Sequence, residues 1–256
     1  MKIDLKQGDC IEVMKGIPDG SVDAIITDPP YGTTACKWDS VINFELMWEQ
    51  LNKIIKPNGA IVLFGSEPFS SALRMSNIKN YKYDWIWDRC NKSNSLNAKK
   101  QPMRHIELIS IFYKKQPTYN PILSDKRKDQ IRYNNIPRSK NNQPKTTGKV
   151  KHSNRFDNRV IPLDKDYPTH FLKFSLPSAN KGRLHPTQKP VELMEYLIKT
   201  YTNENETVLD FTMGSGSTGV AAKNLNRNFI GIENDANYFE IAKDRINKRT
   251  AIIQPL

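Results

Sequence analysis

Thr207-Val-Leu-Asp-Phe-Thr-Met-Gly-Ser-Gly-Ser-Thr-Gly219 decides the fold. Its first four residues, Thr207 to Asp210, read as a buried strand, and Gly214-Ser-Gly216 as a tight turn after it. The small residues that follow, through Ala222, read as a helix lying close to that strand. Glycines 214, 216 and 219 match the G-x-G-x-x-G fingerprint in its required setting, after a strand and opening a helix. Such a turn lets a ligand approach the backbone, and the helix start offers unpaired amides to a negative group. Glu233 ends the next strand, Asn228 to Glu233, about 20 residues beyond the first glycine, where it can accept from ribose hydroxyls. The stretch predicts a wound α/β sheet and an adenosine-type cofactor. Alone it leaves the cofactor open, and leans toward a nicotinamide dinucleotide.

The place of the turn argues against that dinucleotide. With 37 residues after Gly219, the rest of the sheet is expected upstream, and the fold reads as circularly permuted with its cofactor half last. The upstream residues supply such a sheet. Ile3 to Leu5 and Val22 to Thr27 read as strands, and Ala60 to Phe64 as another. Phe44 to Ile55 has helical apolar spacing and is expected to stop at Pro57-Asn-Gly59. Tyr83 to Trp87 and Ile106 to Tyr113 read as two strands of a hairpin. Pro190 to Tyr201 and Asn237 to Lys248 read as helices, the first with its proline where a missing amide costs nothing.

A chain of 256 residues is long enough for one sizeable α/β core. No apolar run reaches the roughly 18 to 20 residues of a membrane span. The first residues, Met1 to Asp9, lack the apolar stretch of a secretory signal. Cys10, Cys36 and Cys90 are odd in number, far apart and in no zinc-site spacing. A cytoplasmic protein with free thiols, no metal and no membrane partner is expected. The net charge of +12 is concentrated: residues 114–183 hold 17 Lys and Arg against 5 Asp and Glu, leaving 22 of each sign elsewhere. That loop-rich segment suits a polyanionic partner, since each neutralised phosphate releases counterions. A merely solubilising insertion would have the same composition.

Asp28-Pro-Pro-Tyr31 stands where the second strand meets a loop, at the carboxyl edge where open α/β sheets bind ligands. Asp and Pro also build ordinary strand-ending turns. Order along the chain separates the two readings. Gly8-Asp9-Cys10, the tetrapeptide, the basic segment, His185-Pro-Thr-Gln-Lys-Pro190 and the glycine turn follow one another in the sequence. In that order they resemble the β subclass of the amino-group DNA methyltransferases, which methylate adenine N6 or cytosine N4. The resemblance covers both ordered ends of the chain and not 114–183. It implies a circularly permuted Rossmann-like methyltransferase sheet, mostly parallel, with helices on both faces. Residues 1–113 would be its catalytic half, 114–183 a target-recognition insertion and 184–256 its cofactor-binding half.

The resemblance also implies a reaction: transfer of a methyl group from S-adenosylmethionine to N6 of adenine in a specific double-stranded DNA sequence. The enzyme would belong to a restriction-modification system or act alone. The Asp28 carboxylate and the Pro29 carbonyl would each accept one amino hydrogen, turning the nitrogen lone pair toward the methyl group. Pro29 and Pro30 would hold the backbone rigid, and Tyr31 would stack on a base flipped out of the duplex. Catalysis would be positioning and electrostatics, by direct displacement. An acid rather than serine at position 28 tilts the reading to adenine, with cytosine N4 as the alternative. A DNA-binding protein with a vestigial cofactor site is the reading from another class.

For the cofactor, the resemblance implies Gly214, Gly216, Ser217 and Thr218 at the methionine end and Asp210 at its amino group. Glu233 falls at the ribose, Asp9 near the adenine ring, and Thr187 and Lys189 over the methionine carboxylate. A turn role for Asp9 and a solvated charge for Lys189 compete with these, and His185 reads as structural. The family's Asp-Pro-Phe-x-Gly is Asp210-Phe-Thr-Met-Gly214 here: Thr212 takes the aromatic position and Phe211 the proline's, so the apolar wall of the cofactor pocket falls to Phe211 or Met213. Lys126, Arg127, Lys128, Arg132, Arg138, Arg155 and Arg159 are candidates for phosphate and guanine contacts. Interleaved aromatics (Tyr119, Tyr133, Phe156, Tyr167, Phe171, Phe174), like Trp38 beside Asp39, read first as local packing. Many relatives in this subclass dimerise, so a homodimer is one assembly the resemblance allows.

Overall fold

The computed structural model describes residues 1–32, 40–125, 165–177, 184–185 and 187–248. Met1–Asn120 with His170–Leu256 form one compact unit, and Pro121–Thr169 a second. In the second, β6 (Ser124–Asp125) pairs antiparallel with β7 (Lys165–Asp166).

The first unit is built on eight strands in the order β1-β10-β9-β2-β3-β5-β4-β8. These are β1 (Ile3–Gln7), β2 (Val22–Thr27), β3 (Ile55–Gly65), β4 (Tyr81–Ser93), β5 (Arg104–Phe112), β8 (Phe171–Lys173), β9 (Thr207–Asp210) and β10 (Asn228–Glu233). Every neighbouring pair is parallel except the two made by β5, so one reversed strand interrupts a parallel sheet.

Alternation along the central strands divides the core in two, because successive side chains leave a strand on opposite faces. Ala24, Ile26, Ala60, Val62 and Phe64 point to one face, against α4 (Val191–Tyr201), α5 (Ser217–Asn224) and α6 (Ala236–Asn247). Ile25, Ile61 and Leu63 point to the other, against α1 (Cys10–Met14), α2 (Phe44–Ile54) and α3 (Phe69–Ser76). Both faces being covered explains why these strands read as unbroken apolar runs. The chain leaves β2 toward β3 on one side and β9 toward β10 on the other. The sheet's switch point, where such folds bind ligands, therefore lies between the ends of β2 and β9.

The structure departs from the sequence reading in particular places. Pro57-Asn-Gly59 does not end a helix into a loop. Helix α2 stops at Ile54, and Ile55 pairs with Val22 as the start of β3. The next pair is Ala24 with Ala60, so Lys56 to Gly59 bulge out of the strand, where a proline lacking a ladder donor is tolerated. Helix α1 is set by the Asp9 carboxylate, which caps it by accepting from the amides of Ile11 and Glu12. Strand β8 extends the main sheet from within a stretch that showed no apolar period, because three residues with only Leu172 buried leave no pattern to read. Among the described residues no helix is long and apolar enough to cross a membrane.

Candidate active site

The ends of β2 and β9 are laced together by short side chains. The buried Thr27 hydroxyl donates to Asp210 Oδ1 at 2.7 Å and accepts the Phe211 amide at 2.9 Å. The Thr218 hydroxyl donates to Asp210 Oδ2 at 2.5 Å, and the Thr212 amide to Oδ1 at 3.2 Å. The Thr212 hydroxyl crosses back to the Asp28 carbonyl at 3.0 Å. Thr212, the position that departs from the family's aromatic, is thus a tie between the two halves. Burial pushes the Asp210 carboxyl up to about 6, against the pull of the hydroxyls and amide that bind it.

The glycine turn after Asp210 needs its glycines for different reasons. Gly214 and Gly216 both take left-handed backbone, at φ of +52° and +78°. A Cβ on Gly216 would also press to within 3.0–3.2 Å of Ile246 and Ala242 on α6. The Glu233 carboxylate grips this turn, accepting the Gly214 amide at 2.8 Å through one oxygen and the Asp235 amide at 2.9 Å through the other. Burial raises its pKa while those amides oppose the rise.

The segment around His185 is stitched to the same turn. Gln188 Oε1 accepts the Leu184 amide and the Ser215 hydroxyl, and Ser217 donates to the Lys189 carbonyl at 2.8 Å. The His185 ring packs edge-on against Tyr238 with centroids 4.2 Å apart, and its Nδ1 meets the Thr187 hydroxyl at 3.0 Å.

Lys189 brings the two halves into electrical contact. Its ammonium is buried and 2.5 Å from Asp28 Oδ2, so it is no solvated charge. It also lies 3.3 Å from Glu107 Oε2 and sits over the rings of Phe64 and Trp87, 5.2 and 5.9 Å from their centroids. Asp28 Oδ1 accepts the Tyr31 hydroxyl at 2.5 Å, and the Tyr31 ring stacks on Phe69 with centroids 5.0 Å apart. One face of Tyr31 is therefore already occupied. Burial raises the Asp28 carboxyl, Lys189 pulls it down and Glu107 adds to the rise. Burial works against the Lys189 ammonium, but the carboxylates of Asp28 and Glu107 outweigh it and hold its pKa above the ordinary value. Burial, with the charges of Asp28 and Glu107, keeps Tyr31 a phenol.

Most of these groups line one cavity of about 690 Å³, the size of a small-molecule site. Its lining gathers Asp9, Asp28, Pro29, Pro30, Tyr31, Thr187, Lys189, Asp210, Phe211, Thr212, Gly214, Ser217, Thr218 and Glu233, nearly every described residue expected there. Gly216 stands one position behind the lining, where it shapes the turn. Phe211 and Met213 together give the apolar wall. Arg89 and Glu107 were not foreseen. They are paired at 3.2 Å and come from β4 and β5. An isolated acid in the apolar run Ile106-Glu-Leu-Ile-Ser was the one signal that could have flagged Glu107. Lys126, Arg127, Lys128, Arg132, Arg138, Arg155, Arg159, Tyr133, Phe156, Trp38 and Asp39 lie outside the described residues. Among the described aromatics, Tyr119 packs on Tyr201 and Phe174 on Tyr196, while Tyr167 and Phe171 are largely exposed. No group of three or more His, Cys, Asp or Glu that could hold a metal occurs among the described residues.

Comparison with known proteins places this arrangement. The profile of a family described as DNA methylase matches residues 22–244. Type II methyltransferase M.HpaI of Haemophilus parainfluenzae is 28% identical over 250 residues, spanning 93% of this chain and 72% of that protein. The crystal structure of an M1.HpyAVI–SAM complex is 30% identical with a TM-score of 0.61, covering 96% of this chain and all of that one. The PvuII DNA methyltransferase (cytosine-N4-specific) superposes with a TM-score of 0.68 at 16% identity over 98% of this chain and 88% of that one, a likeness of fold.

Proposed function

Because the chain belongs to the DNA methylase family, we propose that it uses S-adenosylmethionine to methylate the N6 amino group of adenine in double-stranded DNA. At the coarser level it is an S-adenosylmethionine-dependent DNA amino-group methyltransferase of the restriction-modification kind. The observation that carries the reading is the meeting of Asp28-Pro-Pro-Tyr31 and the glycine turn in one cavity at the sheet's switch point.

The charge of that cavity supports the cofactor. Among the described residues it is lined by six carboxylates (Asp9, Asp28, Glu107, Asp210, Glu233, Asp235) and two cations (Arg89, Lys189). A pyrophosphate would be repelled by such a lining. S-adenosylmethionine has a sulfonium, an ammonium and two ribose hydroxyls, all matched by carboxylates. When bound it supplies a methyl group on a positive sulfur. We assign Gly214, Gly216, Ser217, Thr218, Asp210, Phe211 and Thr212 to its methionine end, with Thr187 nearby. Glu233 falls to its ribose and Asp9 to its adenine ring.

On the substrate side, Asp28 and the Pro29 carbonyl accept the two amino hydrogens and turn the nitrogen lone pair toward the methyl group. Asp28 does this as an anion, which also favours the positive charge that grows on the nitrogen. The target base is flipped out to reach them, and Tyr31 stacks on it. We place sequence recognition in 114–183, with Lys126, Arg127, Lys128, Arg132, Arg138, Arg155 and Arg159 among its DNA contacts.

Incubation with S-adenosylmethionine and unmethylated genomic DNA, followed by digestion to nucleosides and mass spectrometry, tests the proposal. N6-methyladenine, absent with Asp28→Ala, is the expected result. N4-methylcytosine would overturn the choice of base and leave the mechanism, and no methylated base would overturn both.

A further inference from the structure

Asp28 is engaged on both oxygens, by the Tyr31 hydroxyl at 2.5 Å and the Lys189 ammonium at 2.5 Å. In the absence of a base this is a stable arrangement, since a buried carboxylate needs a partner. During methyl transfer it is the wrong one. The base brings its own amino hydrogens to Asp28, and an ammonium beside the nitrogen opposes the positive charge growing there.

The surroundings of Lys189 restrict where its ammonium can go. The rings of Phe64 and Trp87 flank it. A buried ammonium without an anion is costly, and Glu107 stands 3.3 Å away. Glu107 Oε2 is buried and has no directed hydrogen-bond partner. Its other oxygen is held by Arg89 at 3.2 Å, which fixes the carboxylate in place. A shift of about half an ångström, small for a flexible four-carbon stem, would bring the Lys189–Glu107 pair to charge-assisted hydrogen-bond length.

We propose that Glu107 is a second seat for the Lys189 ammonium, and that transfer from Asp28 to Glu107 on arrival of the base leaves Asp28 free to accept the amino hydrogen. The proposal rests on the methyltransferase reading above. Glu107 is then a positioning residue, acting on the reaction through Lys189. The charged and titratable groups facing it are Lys189 from the segment before α4, Asp28 and Tyr31 after β2, and Arg89 on β4.

The test compares wild type, Glu107→Gln and Glu107→Asp in single-turnover DNA methylation from about pH 5 to pH 9, with S-adenosylmethionine affinity measured by calorimetry. Glu107→Gln should lower the plateau rate by about tenfold or more while the cofactor affinity stays within about threefold. The acid limb of its rate profile should move down by about one pH unit, because Lys189 then holds Asp28 ionised without a competing charge. Glu107→Asp should regain part of the rate. An unchanged rate in Glu107→Gln overturns the proposal. So does a rate that falls together with cofactor affinity while the acid limb stays in place, which marks a structural role. Wild type active with Glu107→Gln unaffected rejects only this inference, whereas inactive wild type rejects the function and the inference together.

Discussion

Two aspartates close neighbouring strands at the same edge of the sheet, and they are held in opposite ways. Asp210, at the end of β9, is buried among threonine hydroxyls and a backbone amide, short groups fixed by the strand, turn and helix that carry them. Asp28, just past β2, is partly buried and is met by the tips of long side chains, the Lys189 ammonium and the Tyr31 phenol. Short partners rooted in the backbone elements around Asp210 cannot withdraw, and partners on long stems can. The difference separates a carboxylate that holds a pocket in shape from one whose partners are free to change, as the proposed reaction requires.

The sharpest way to break this contrast is to remove the charge of Asp28 alone. Asp28→Asn should lower the methylation rate by about a thousandfold or more while leaving S-adenosylmethionine affinity within about threefold. Equal losses of both would mean that Asp28, like Asp210, is part of the scaffold.

A smaller effect separates Asp210. Its carboxyl titrates near 6 in the folded chain against an ordinary 3.8. Between those values the folded chain holds a proton that the unfolded chain releases, so this residue's contribution to stability falls as pH rises. Asp210→Asn carries no such charge. Its stability relative to wild type should rise by on the order of 2 kcal/mol from about pH 4 to pH 7, read from denaturant midpoints. A difference that does not vary with pH would remove the basis for calling Asp210 fixed and strained by burial.

The smallest effect tests the tie between the two. Thr212→Val keeps the shape and deletes the hydroxyl that reaches the Asp28 carbonyl at 3.0 Å. A loss of about 1 kcal/mol is expected, with a rate loss of no more than about tenfold. No change in stability would show that the two strand ends hold their spacing without it.

The sequence made much of this site legible because its parts are local. A strand, a glycine turn and a helix announce themselves within a few residues, as Thr207 to Gly219 do, and Asp28-Pro-Pro-Tyr31 is legible as a unit. What stayed hidden depends on contacts far along the chain. Nothing near Lys189 says that its ammonium lies against Asp28, 161 positions away. Glu107 and Arg89 sit 18 positions apart on the two strands of a hairpin, so their meeting is a matter of register. The bulge at Lys56 to Gly59 escaped notice because proline and glycine signal a turn and an insertion within a strand in the same words.

The seam between β2 and β9 has a consequence for how the chain comes to be folded. As synthesis proceeds, β2 acquires β3 as a neighbour at once, but its other edge must wait for β9 about 180 residues later, and β1 for β10 about 226 residues later. Until then the centre of the sheet is an open edge, a natural place for a chaperone or for mispairing with another chain. Closing it is the step that joins β1, β10 and β9 to the other strands and brings Asp28 alongside the glycine turn. Chains cut short before Thr207 therefore carry all of Asp28-Pro-Pro-Tyr31 and lack the glycine turn that forms the rest of the cavity.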